Sequence, residues 1–115
     1  MKDIRDLTDK IIKFRKERDW EQFHTPKDLA ISLSLEASEV LEHFQWKNND
    51  EIKEYIKTHK EHIGEELADV FYWVLIMSHD IDIDIVEAFN KKMEKNAEKY
   101  SVEKAKGNHT KYTEL

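Results

Sequence analysis

Residues 66–77 read ELADVFYWVLIM, and this stretch decides how the chain folds. No glycine or proline interrupts it, and after Asp69 it is apolar on nearly every side of a helical wheel. A helix of that kind has no face suited to water and belongs at the centre of a helical protein. With its polar flanks the pattern predicts a helix over about 61–78 as the central element.

Outward from it, the stretch before is easily parsed. A second helix is predicted from Thr25-Pro26 to about Trp46. Thr25 suits the N-cap, Pro26 the first helical position, and Asp28 the positive end of the dipole. Leu29, Leu33, Ala37, Val40, Leu41 and Phe44 then recur along it. A first helix over about 3–19 carries Ile4, Leu7, Ile11 and Phe14 at helical spacing, until WEQFHTPKD (20–28) breaks it. Between the second and central helices the reading is a loop at 47–50, a short polar helix at about 50–58, and a connection rich in Lys and His. After the central helix, HDIDIDI (79–85) alternates like a strand but reads as a turn in which Asp82 or Asp84 caps a last helix. That helix should end near Tyr100, with Val86, Phe89, Met93 and Ala97 facing inward. Residues 101–115 show no periodicity and are expected to be disordered or an arm lying over a neighbour.

Composition agrees. Two glycines and one proline are too few turn residues for a sheet protein of 115 residues. Short connections between helices favour an all-α antiparallel bundle of four to five helices, one domain over 1–115. The absence of cysteine excludes disulfides, thiol catalysis and thiolate metal sites. No apolar run approaches the roughly 18 residues that span a bilayer, and MKDIRDLTDK is too polar for a signal peptide, so a cytoplasmic protein without a membrane partner is expected. A net charge of -6 argues against nucleic acid as a partner, because neutralising phosphates needs clustered Lys and Arg. An acidic protein can still take a polyphosphate through a divalent cation held by its carboxylates.

Such carboxylates are present. Glu36 and Glu39 sit three apart on the second helix, beside Leu33, Val40 and Phe44; Glu66 and Asp69 repeat the spacing among Leu67, Val70 and Phe71. Each pair alone is the ordinary solvated face of a helix. Two pairs, each set into the apolar stretch of its own helix, would face one another and repel unless protonated or neutralised by a cation. Oxygen ligands without thiolates point to a hard ion, Mg²⁺ or Mn²⁺. A di-iron bundle fits less well: its Glu-x-x-His motif occurs only at Glu21–His24, where Pro26 follows too closely for a helix. His59 and His62 are expected to be exposed, His43 and His79 have no evident partner, and His109 lies in the tail. Trp73 falls in the central helix, whereas Trp20 and Trp46 fall at helix ends, where a flat apolar surface can stack a nucleobase. Lys92, Asn96 and Lys99 share one face of the last helix and can meet phosphates.

These residues carry a resemblance. LEASEVLEHFQW (35–46) and EELADVFYWVL (65–75) resemble the all-α nucleoside triphosphate pyrophosphohydrolases, the MazG-like group, in particular its dCTP pyrophosphatase branch. The signature E-x-x-E followed by E-x-x-D reads here as Glu36, Glu39, Glu66 and Asp69. RDWEQFH (18–24), FQWK (44–47), K-M-x-x-N-x-x-x-Y (Lys92 to Tyr100) and KYTEL (111–115) extend it over nearly the whole chain. The resemblance implies hydrolysis between the α and β phosphates of dCTP or a related or modified (d)NTP, giving the monophosphate and pyrophosphate. It implies Mg²⁺ on the four acids, Trp20, Trp46 and Trp73 at the base, and Lys92, Asn96 and Tyr100 at the phosphates. A base-pocket His of the family falls on Ile11, and a Tyr of the dCTP enzymes falls on Trp73. Glu39 is the expected activator of the attacking water. The resemblance also implies a homodimer or homotetramer, in line with the apolar residues on almost every side of the central helix. The competing reading is a non-catalytic helical interaction module with a surface acidic face.

Overall fold

The computed structural model describes residues 3–114. Among them are five α-helices, α1 (Ile4–Glu17), α2 (Pro26–Glu42), α3 (Asn49–Asp80), α4 (Ile85–Lys99) and α5 (Val102–Ala105), and no strand. The all-α reading is borne out. The chain divides into two compact units, Met1–Asp82 and Ile83–Leu115. No helix among the described residues is long and apolar enough to cross a membrane.

In the first unit every long helix starts on a side-chain cap. Asp3 and Asp6 cap α1 reciprocally, each carboxylate accepting from the other's backbone N–H. The Thr25 hydroxyl accepts from the Asp28 N–H at 3.1 Å, with Pro26 next to it at the start of α2. Asn48 and Glu51 form the reciprocal box of α3, at 2.9 and 3.1 Å.

Two boundaries differ from expectation. α2 stops at Glu42 rather than near Trp46, because the Phe44 and Gln45 N–H groups both turn back to the Leu41 carbonyl at 2.9 Å and Trp46 takes a left-handed φ of 71°. α3 has no break at its Lys- and His-rich stretch and runs unbroken for 32 residues. The polarity there marks an exposed face rather than a helix end. No proline interrupts it, and Tyr55 and His59, one turn apart, stack with ring centroids at 3.9 Å and planes 2° apart.

α2 and α3 pack antiparallel: Glu36 lies beside Asp69, and further along α2, His43 lies beside Glu66. Leu29 of α2 and Leu75 and Ile76 of α3 are buried and form the core. α1 is tied to the far end of α3 by a bidentate ion pair, Arg15 Nη1 to Asp80 Oδ2 at 2.7 Å and Nη2 to Oδ1 at 2.8 Å. Arg15 is 4% exposed, a burial tolerated because the forked guanidinium meets both carboxylate oxygens.

In the second unit Asp84, not Asp82, caps α4, accepting from the Glu87 N–H at 3.1 Å. The expected inward stripe is not covered: in the single chain Phe89 is 62% and Met93 50% exposed, Val86 and Ala97 are exposed too, and α4 has only short segments beside it in its own unit. The tail is ordered up to Glu114, with Tyr112 packed edge-on to Tyr100 at 5.9 Å and the Lys99 ammonium 4.7 Å from the Tyr112 ring centre. Leu115 lies outside the described residues.

The Arg15–Asp80 pair carries a pH signature. Hydrogen bonds from Arg15 hold the Asp80 carboxyl below its ordinary value of 3.8, so the stabilisation is complete above that value and is lost as the pH falls toward the depressed one. Asp80→Asn should cost about 3 kcal/mol at pH 7, the lower end for a buried pair because the Asp80 side chain keeps 19% exposure. Denaturant unfolding should show the gap between wild type and variant narrowing on acidification below pH 4.

Candidate active site

The antiparallel pairing of α2 and α3 sets one acidic i, i+3 pair against the other. Glu36 shows the consequence. Its Oε2 is buried with no hydrogen-bond partner among the described residues, and its pKa is raised by burial first, then by the charges of Glu39 and Asp69, by hydrogen bonding with Glu39, and by Glu66. The other three sequence-identified acids, Glu39, Glu66 and Asp69, therefore all act on Glu36. Among the described residues no three His, Asp or Glu side chains are drawn into a ready-made cation cage. An orphaned buried carboxylate oxygen among like charges and oxygen-only donors nonetheless fits a hard divalent cation.

Beside this cluster opens a cavity of about 480 Å³, within the range of small-molecule sites. Glu36 and Asp69 contribute carboxylates to its lining, and Phe14, Trp20, Tyr72 and Trp73 aromatic surface; Ile11 and Lys10 come from α1. The aromatics brace each other edge-to-face, Phe14 on Trp20 at 5.7 Å and Tyr72 on Trp73 at 4.9 Å. Behind Trp73 stands His24, 5.6 Å ring to ring, whose Nδ1 lies 3.5 Å from Arg15 Nη1. Burial, then the Arg15 charge, lowers the His24 pKa, which keeps the ring neutral against the indole. Burial likewise raises the Tyr72 pKa, so its hydroxyl stays protonated and able to donate.

Of the residues picked out in the sequence, Glu36, Asp69, Trp20 and Trp73 line this cavity, with Glu39 and Glu66 adjoining. Trp46 does not line it and is 92% exposed. Lys92 and Asn96 lie on α4 and Tyr100 is its C-cap, all in the second unit. Three cavity residues escaped sequence reasoning. Tyr72 had a signal, since it lies three residues after Asp69 and so shares its face. Phe14 reads as core, and Lys10, one turn before it, reads as a solvated charge; only the packing of α1 against α3 turns them to one space.

His43 and His79 do have partners. His79 Nδ1 lies 3.1 Å from Asp80 Oδ1. His43 Nδ1 lies 2.6 Å from the Tyr55 hydroxyl and its Nε2 3.6 Å from Glu66 Oε2. His59, expected to be exposed, is half-buried under Tyr55.

The repulsion within the cluster is testable without substrate. Glu36→Gln removes one of the like charges, so in cation-free buffer its melting temperature should exceed that of wild type, by about 4 °C or more for each kcal/mol relieved. Millimolar Mg²⁺ should raise the melting temperature of wild type by mass action, and the same variant should lose that rise.

Comparison with known proteins returns one consistent group. A sequence model of the MazG-like family matches residues 31–115. dCTP pyrophosphatase 1 of Mus musculus is 37% identical over 117 residues, which cover 100% of this chain and 67% of that protein. dCTP pyrophosphatase 1 of Homo sapiens is 35% identical over 117 residues, with the same 100% and 67% coverage. The crystal structure of a pyrophosphatase from Archaeoglobus fulgidus superposes with a TM-score of 0.81 at 41% identity, covering 85% of this chain and 92% of that one.

Proposed function

The chain belongs to the MazG-like family, and on that premise we propose that it hydrolyses the α–β phosphoanhydride of a (deoxy)nucleoside triphosphate, releasing the monophosphate and pyrophosphate. The observation that carries this reading is an aromatic cavity whose lining includes two acids of the carboxylate cluster, Glu36 and Asp69. A flat base suits the aromatic walls, and a polyphosphate is brought to carboxylates only by a cation. dCTP or a modified relative is the preferred substrate, in keeping with the substrate named for the mammalian relatives.

Glu36, Glu39, Glu66 and Asp69 would hold the cation, Mg²⁺ with Mn²⁺ as an alternative. When bound, such an ion neutralises charge on the phosphate oxygens and lowers the pKa of a water. Glu39 is the exposed member of the α2 pair, one turn from Glu36, and we assign it the proton taken from the attacking water. Trp20 and Trp73 stack the base, and the Tyr72 hydroxyl and Lys10 ammonium are added to the wall that discriminates it. Lys92, Asn96 and Tyr100 take the phosphates. Trp46, which does not line that cavity and is 92% exposed, is a base contact only if a second copy carries it there. Exposed apolar residues on α2, α3 and α4, Leu35, Leu67 and Phe89 among them, support a homodimer or homotetramer. The setting is nucleotide-pool house-cleaning in the cytoplasm.

Pyrophosphate release from a panel of dNTPs and NTPs tests the reading. It should be strongest with dCTP-like substrates, need Mg²⁺ and stop with chelator; no release from any nucleotide by folded protein would leave the non-catalytic interaction module. Glu39→Gln should lower kcat by about 10²–10⁴ at saturating Mg²⁺. Trp20→Ala and Trp73→Ala should each raise KM by about 5- to 100-fold, the value of a lost base stack. Sedimentation at micromolar concentration should show no folded monomer.

A further inference from the structure

His43 is the C-cap of α2, and its side chain is 12% exposed. Its Nδ1 makes a short hydrogen bond, 2.6 Å, with the Tyr55 hydroxyl, and its Nε2 stands 3.6 Å from Glu66 Oε2. Tyr55 and Glu66 both belong to α3, three turns apart, about 16 Å along the axis. The two side chains reach toward each other and the imidazole fills the gap.

Tyr55 is itself fixed. Its ring is stacked on His59 at 3.9 Å with planes 2° apart, and the Lys47 ammonium lies 4.3 Å from its centre. A hydrogen bond on one imidazole nitrogen sets the ring plane and with it the aim of the other nitrogen. With the Tyr55 hydroxyl donating to Nδ1, the ring proton sits on Nε2, directed at Glu66. Such a hold on Glu66 matters because Glu36, a carboxylate on the facing helix, is near enough for the two to repel. At 3.6 Å the contact is electrostatic rather than a formed hydrogen bond, and it has room to shorten.

We propose that His43 is a positioning residue: backed by Tyr55, it holds the Glu66 carboxylate toward the acidic cluster so that the cluster is arranged before a divalent cation arrives. The inference rests on the reading that Glu36, Glu39, Glu66 and Asp69 bind that cation. It extends the site to a helix end and a tyrosine outside the cavity.

The test is calorimetric titration of Mn²⁺ alone into the full chain, with circular dichroism melts alongside. His43→Leu should weaken Mn²⁺ binding by about 10- to 100-fold, the usual cost of removing a group that orients a metal-ligating side chain. His43→Gln, whose amide can still donate toward Glu66, should recover part of the loss. Tyr55→Phe, which keeps the ring stack, should weaken binding in the same direction by less. Wild type binding Mn²⁺, Glu66→Gln losing it, and His43→Leu staying within twofold of wild type would overturn the inference while leaving the cation site standing. Should His43→Leu not fold, Tyr55→Phe and His43→Gln both matching wild type would overturn it equally. Wild type that takes no Mn²⁺ at millimolar concentration would remove the cation reading itself, and His43 positioning with it.

Discussion

Carboxylates set face to face on two packed helices repel, and the rest of the first unit is arranged around holding them there. Glu36 bears the strain most plainly, with a buried oxygen that no group among the described residues satisfies. A fold tolerates such a group only where the surrounding packing is secured by other means. Here those means are the buried Leu29, Leu75 and Ile76, the reciprocal caps at the helix starts, and the Arg15–Asp80 fork that fastens α1. The acids are thereby kept near each other at a cost that protonation or a bound cation relieves.

The aromatic cavity is the complement of that cluster. Acids alone would recruit cations indiscriminately, and aromatics alone would bind any flat apolar molecule. A ligand that satisfies both must carry a planar group and a chain of negative charge at a fixed separation, which a nucleoside triphosphate does. His24 makes the arrangement firmer, because a neutral ring between Arg15 and Trp73 couples the ion pair that anchors α1 to the aromatic wall of the cavity.

Much of this was legible in residue order, and the divide follows the range of the interaction. Caps are local, so Thr25-Pro26 announces α2, and the last helix is announced to within two residues, Asp82 or Asp84, of which Asp84 is the cap. The acid pairs were legible because helical spacing fixes a shared face, and the apolar residues around each pair told which way that face turns. The Lys- and His-rich stretch of α3 was misjudged because polarity alone does not distinguish a helix end from a helix side. Tertiary partners stayed hidden: nothing in the order of residues joins His43 to Tyr55 and Glu66, or turns Lys10 and Phe14 toward Trp73. The uncovered stripe of α4 was assigned to the interior because amphipathic spacing says that a face is to be covered and not by what.

The unbroken course of α3 has a consequence for how this chain can vary in length. Tyr55, Glu66, Asp69, Tyr72, Trp73 and Asp80 are stations on one rod, and their angular relation is fixed by the helical repeat. Inserting or deleting a single residue between Tyr55 and Asp80 would rotate every station beyond it by about 100°, separating the histidine brace from the acids, or the acids from the anchor of α1. The turn at 43–48 and the segment between α1 and α2 carry no such phase, so length changes there leave the register intact. Homologous chains of different length should therefore keep this span gap-free and take up their differences at its ends.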